Sequence, residues 1–159
     1  MKDKWVPEMQ VWGEERDSAL AEFKKQVSAW GLTMPDVEPL VTQFGLNQFR
    51  EVGLIEYWVA NDTKAGYCGK FLFVFNGQTC PAHRHDVKHE TFFVLKGKAR
   101  MTAAGKERVM KEGDVLVMEP GTVHSFTGAG NALLLEVSMP STVDDNFFDD
   151  KRIGKDGVI

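Results

Sequence analysis

From residue 53 onward the chain divides into short apolar runs separated by single glycines, and this pattern limits the fold more than any other feature. The runs are 53–60 (GLIEYWVA), 67–76 (YCGKFLFVFN), 89–96 (HETFFVLK), 98–103 (KARMTA), 107–110 (ERVM), 114–118 (DVLVM), 123–127 (VHSFT) and 132–139 (ALLLEVSM). Gly77, Gly97, Gly105, Gly113, Gly121 and Gly130 punctuate them. Many short strands with evenly placed turns specify a mainly β sandwich or barrel. A chain of 159 residues holds one well-buried core and is too short for two comfortable domains.

The residues before this region read as helical. Leu20, Phe23, Val27 and Trp30 recur at spacings of three and four, which places them on one helix face. Gly31 follows as a C′ stop. A second short helix is expected from near Thr33, with Val37, Leu40, Val41 and Phe44 apolar and Gly45 ending it, although Pro39 is tolerated only in a first turn. The expected organisation is therefore an N-terminal helical extension over 1–50, packed on a barrel over 51–159. The polar and aromatic tail after Pro140 wraps that barrel or frays.

Net charge is −4 with scattered Lys and Arg, so the chain lacks the basic footprint of a nucleic-acid or membrane-surface protein. The N-terminus has no apolar h-region, and no apolar stretch approaches bilayer length. The expected location is the cytoplasm, with Cys68 and Cys80 as reduced thiols.

Residues 77–97, GQTCPAHRHDVKHETFFVLKG, carry the spacing Gly-x5-His-x-His-x4-Glu-x6-Gly. On an extended chain His83 and His85 point to one face. Glu90 can return on the next strand. Later, EPGTVH uses a Pro-Gly turn to present His124. Three imidazoles and one carboxylate make a mixed N/O site suited to a first-row divalent metal with open positions. Three of the four histidines fall on this pattern, and His89, the fourth, should face away.

This spacing resembles the two cupin motifs, which implies a single jelly-roll β-barrel. The first motif matches at every fixed position. In the second, Glu119 stands where the pattern has proline, and Gly128 replaces an asparagine.

Lys70 interrupts YCGKFLFVF, and Glu136 interrupts ALLLEVSM. A lone buried charge is expensive. Burial alone should lower a lysine's pKa and raise a glutamate's, the shifts that suit acid–base work near neutral pH. The alternative is that each points outward, with Leu133, Leu135, Val137 and Met139 filling the core instead.

The strings YCGKFLFVFNGQTCPAHRH, ETF, LLEVS and STVDDNFFDDKRI, with GLTMPDVEPLVTQFGLNQFREVGLIEYWVAND before them, resemble the D-lyxose isomerase family of cupins. The resemblance implies a metal-dependent aldose–ketose isomerase with one divalent ion, manganese first and Fe, Co, Ni or Zn as alternatives. It places the ligands at His83, His85, Glu90 and His124 and the acid–base pair at Lys70 and Glu136. It puts Arg152 at the arginine of the tail motif, where it can bind substrate or act structurally. Aromatic faces such as Phe73 or Trp58 would hold the sugar, and cupins commonly pair as homodimers.

Three other readings share these residues. A cupin dioxygenase would use iron or copper at the same ligands. A sugar-binding cupin would bind without turnover. A phosphosugar isomerase would need a cationic cluster near the site, for which Lys88, Arg84 and Arg100 are the candidates.

Overall fold

The computed structural model describes residues 7–159. The helix α1 spans Gly13–Ala29. Its C-terminus is closed by a Schellman arrangement, in which Gly31 N–H donates to Ser28 O and Leu32 N–H to Val27 O. Gly31 has φ +67°, which explains the residue type at that stop.

The strands are β1 (Leu40–Thr42), β2 (Leu54–Asp62), β3 (Tyr67–Val74), β4 (Thr79–Arg84), β5 (Glu90–Lys96), β6 (Lys98–Ala103), β7 (Lys106–Lys111), β8 (Val115–Met118), β9 (His124–Gly128), β10 (Ala132–Ser138) and β11 (Phe147–Phe148). They form two antiparallel sheets, ordered β1-β2-β3-β10-β5-β8 and β11-β4-β9-β6-β7. This is the expected jelly roll.

The second helix expected after Thr33 is absent. Leu40–Thr42 instead joins the six-stranded sheet as β1, pairing with 54–56 of β2. Pro39 blocks continuation of a helix, and the β-branched pair Val41 and Thr42 fits a pleated edge.

Two cores follow from the strand alternation. Leu72, Val74, Phe92, Val94 and Leu134 from the first sheet meet Cys80, Ala99, Met101, Met110 and Phe126 from the second. On the outer face of the six-stranded sheet, Ala19, Leu20, Phe23 and Val27 of α1 pack on Ile55, Tyr57, Phe73 and Leu133. Phe23 lies 4.9 Å from Phe73 and 5.2 Å from Tyr57 between ring centroids. Truncating a buried Phe of this kind to Ala typically costs about 3–5 kcal/mol. Phe73 therefore belongs to the helix-covered layer and does not face a sugar.

Gly128 has a packing reason. A Cβ there would sit 2.2 Å from Phe75 O, so the asparagine of the cupin motif does not fit this chain.

Candidate metal and acid–base site

The histidine cluster depends on a local irregularity. Cys80 pairs with Phe126 and His83 with His124, so Pro81 and Ala82 on β4 face the single residue Ser125 on β9. This β-bulge resets the side-chain alternation. Cys80 and His83 can then both point inward, although they are three residues apart. His85 follows the end of β4, and His124 opens β9 after the Pro-Gly turn.

Each ring is held by its Nδ1, which lies 2.8 Å from Pro81 O in His83, 2.5 Å from Asp145 O in His85 and 2.9 Å from Thr122 O in His124. A carbonyl only accepts, so each Nδ1 donates and each Nε2 keeps a lone pair for a ligand. One ligand atom from each of the three imidazoles lies within 4.8 Å of the others. Glu90 closes the set, with Oε1 3.4 Å from His85 Nε2 and Oε2 3.2 Å from His124 Nε2. His124 Nε2 and Glu90 Oε2 are fully buried and have no hydrogen-bond partner among the described residues. Two lone-pair atoms facing each other in the interior fit a divalent cation held by His83, His85, Glu90 and His124.

Desolvation, reinforced by His124 and His85, holds the His83 ring well below the usual histidine range. Burial pushes the Glu90 carboxyl up, but the Lys88 ammonium and the two neighbouring histidines outweigh it and hold the group well below the usual carboxylate range.

From Glu90 a chain of buried charges runs across the lumen face of the six-stranded sheet. Lys88 Nζ lies 2.5 Å from Glu90 Oε1 and 2.9 Å from Glu136 Oε1. Ser138 Oγ donates to Glu136 Oε1 at 2.8 Å. Lys70 Nζ lies 3.2 Å from Glu136 Oε2 and 3.7 Å from Glu56 Oε2. Cross-strand register explains the order, because Glu136 sits opposite both Lys70 and Phe92, and Lys70 opposite Trp58. Val137 and Met139 are the exposed residues of that region, so Glu136 faces inward.

The lowered pKa expected for Lys70 is corrected by this arrangement. Burial alone would lower it, but Glu136 and Glu56 on either side raise it above the ordinary lysine value, so Lys70 stays an ammonium. Its Nζ also lies 4.5 Å from the centroid of the Trp58 ring.

The cavity is lined by Lys70, Glu136, Glu90, His83 and His85 together with Glu56 and Trp58, and tail residues such as Asn146 and Ile159 reach its edge. Arg152 is not brought to it. Its side chain is 69% exposed and is captured by Asp150, 2.6 Å away. His89 points outward to Glu119 at 3.2 Å. The three candidate cations for a phosphate do not gather: Arg84 pairs with Asp86, Arg100 lies 3.8 Å from Glu107, and Lys88 is buried between carboxylates.

Two contributing residues, Glu56 and Asp145, were not singled out from sequence, and Lys88 was named only as a candidate cation for a phosphate. Glu56 is a lone charge in LIEYWV, the same signal that marked Lys70 and Glu136. Lys88 sits inside the metal motif. Asp145 gave no signal. It accepts backbone N–H bonds from Asp86, Val87 and Lys88 at 2.8, 3.1 and 3.0 Å while its carbonyl orients His85.

The D-lyxose isomerase family profile matches residues 6–94, and a cupin-domain profile matches 72–138. The chain belongs to the D-lyxose isomerase family. A D-lyxose/D-mannose isomerase of Thermosediminibacter oceani is 30% identical, over 71% of this chain and 77% of its own length. A D-lyxose ketol-isomerase of Cohnella laeviribosi is 29% identical, over 93% and 95%. Among solved structures, the L-ribose isomerase of Cellulomonas parahominis with L-ribose superposes with a TM-score of 0.73 at 18% identity, over 94% of this chain and 97% of that one. That likeness shows that this member of the D-lyxose isomerase family shares the fold of the L-ribose isomerase.

Proposed function

We propose that this protein is a metal-dependent aldose–ketose isomerase that interconverts D-lyxose and D-xylulose. The observation that supports this most is Glu136, a carboxylate bridging two ammonium groups beside the histidine and Glu90 set. The names of the D-lyxose-specific relatives supply the sugar.

Bound by His83, His85, Glu90 and His124, a divalent ion would supply Lewis acidity that stabilises negative charge on the oxygens of adjacent carbons. Glu136 takes the proton from C2 of the open-chain aldose. The C–H electrons form the C1–C2 double bond as the carbonyl electrons move to O1, and O1 takes the proton that the C2 hydroxyl gives up, which leaves the negative charge on O2. Lys70, held as an ammonium, donates a hydrogen bond to the oxygen that gains charge. Glu136 then returns its proton to C1 as the electrons on O2 form the C2 carbonyl. Lys88 and Ser138 keep Glu136 in place throughout. Manganese as the ion, a homodimer as the assembly and the cytoplasm as the location are the finer parts of this reading, supported by the family resemblance.

The test is conversion of D-lyxose by metal-stripped protein given Mn²⁺, Fe²⁺, Co²⁺, Ni²⁺ or Zn²⁺, with D-mannose and other free aldoses alongside. Run in D₂O, the reaction should place deuterium on C1 of the ketose, because a carboxylate base exchanges its proton with solvent. Failure of every metal with every aldose would remove the isomerase reading.

A further inference from the structure

The wall of the cavity on β2 carries two buried polar atoms that touch none of the reacting atoms in the proposed chemistry, although the Glu56 charge helps to keep Lys70 an ammonium. Glu56 Oε2 and Trp58 Nε1 are both fully buried; the Trp58 N–H lies near the Glu56 carboxyl, but neither atom makes a well-formed hydrogen bond among the described residues. Both side chains line the same cavity as Lys70, Glu136 and Glu90. Lys70 does not satisfy Glu56, because 3.7 Å is beyond hydrogen-bond length and the ammonium lies closer to Glu136, at 3.2 Å. An unmade bond to a buried carboxylate costs desolvation that an ion pair at 3.7 Å offsets only in part.

Position separates this pair from the reacting carbons. In the sheet order β2 lies three strands from β5, which carries Glu90. The side chains narrow that gap to a sugar's reach, because Lys70 Nζ lies 3.2 Å from Glu136 Oε2 and 3.7 Å from Glu56 Oε2, so the pair sits just beyond Lys70. A sugar whose C1 and C2 lie beside Glu90 and Glu136 would extend its other end toward β2.

A hydroxyl group matches the two atoms, since it donates one hydrogen bond and accepts another. We infer that Glu56 and Trp58 form a subsite for the terminal hydroxyl of an open-chain, unphosphorylated pentose, with Glu56 Oε2 accepting from the hydroxyl and Trp58 Nε1 donating to it. This rests on the isomerase reading for which end of the sugar lies where. A terminal phosphate would meet the Glu56 carboxylate, in a lumen where Glu56, Glu136 and Glu90 already outnumber Lys70 and Lys88. Burial, partly offset by Lys70, raises the Glu56 pKa. A protonated Glu56 would pair with a hydroxyl equally well and would still offer a phosphate no cation.

The test compares kcat/KM for D-lyxose and 5-deoxy-D-lyxose in the wild type, Glu56→Gln and Trp58→Phe, with metal content and thermal midpoint measured on each. The wild type should prefer D-lyxose by roughly 5- to 150-fold, the range for leaving a buried partner unmatched. In each variant that preference should shrink to within a few fold. A purely structural role would lower the midpoint or kcat and leave the preference intact. Trp58→Phe keeps the ring under Lys70, so it carries the test if Glu56→Gln fails to fold. An unchanged preference in the folded variants, or no preference in the wild type, overturns the subsite.

A calorimetric arm uses the pentitol made by reducing D-lyxose and its 5-deoxy counterpart. A wild type that separates these two through Glu56 but turns over no aldose keeps the subsite and removes the isomerase reading. A wild type that isomerises D-lyxose but ignores the 5-hydroxyl does the reverse.

Discussion

Glu136 accepts contacts from Lys88 and Ser138 on one oxygen and from Lys70 on the other, so its position is over-determined. It is not among the four metal-holding side chains. Glu136→Gln should therefore keep its metal and fold while turnover of D-lyxose falls by roughly two to four orders of magnitude, the usual contribution of a positioned acid–base group. Steady-state kinetics with metal analysis on the same preparation checks this, and normal turnover would remove Glu136 from the mechanism. Lys70 and Glu136 were legible as lone charges in apolar strands. Their mutual pairing was not, and this is why the expected lowering of the Lys70 pKa came out reversed. A rule about one residue in a strand carries no information about which charge the facing strand supplies.

The loop between β4 and β5 and the tail around Asp145 act as one unit. Asp145 takes three successive backbone N–H groups of that loop, which places Lys88 and Glu90, and its carbonyl fixes the His85 ring. Asp145→Ala should weaken metal binding by roughly 10- to 100-fold, the range seen when the partners of ligating groups are lost. Competition against a chelator of known affinity measures it, and Asp145→Asn, which keeps one acceptor oxygen, should lose less. Unchanged affinity in Asp145→Ala would show that the loop holds its shape alone. At this scale the sequence was informative for α1 and for eight of the strands, because period 3.6 and glycine-bounded runs are local signals. It missed β1, β4 and β11: β1 and β11 are three and two residues long and owe their existence to partner strands, and β4 has Pro81 and a bulge that break the alternation.

For the whole molecule, the pKa directions predict how stability depends on pH. His83 sits well below its ordinary value of 6.5 in the folded state, so below that pH the unfolded chain binds more protons. Stability of the metal-free protein should be level above about pH 6.5 with respect to this group and fall beneath it. The slope is at most about 1.4 kcal/mol per pH unit for each proton. Glu90, also depressed, should add to the fall below its ordinary 4.5. Thermal midpoints of chelator-treated protein from pH 8 to 4 check this, and His83→Gln should flatten the part between 6.5 and 4.5. A midpoint that rises as the pH falls through 6 would contradict the neutral, desolvated ring.

By itself the sequence determined the β architecture, the α1 face and the identity of the histidines and Glu90 as a group. Glycine turns, helical periodicity and the His-x-His-x4-Glu spacing are all written within short stretches of chain. Tertiary structure alone decided which of these side chains meet. The bulge at Pro81 and Ala82 turned His83 inward, and the register of β2, β3 and β10 aligned Glu56, Lys70 and Glu136. The tail brought Asp145 to a loop 57 to 59 residues away. The sign of the Lys70 shift followed from that assembly. Electrostatic interactions depend on distances between side chains, and for residues far apart in the chain folding alone sets those distances.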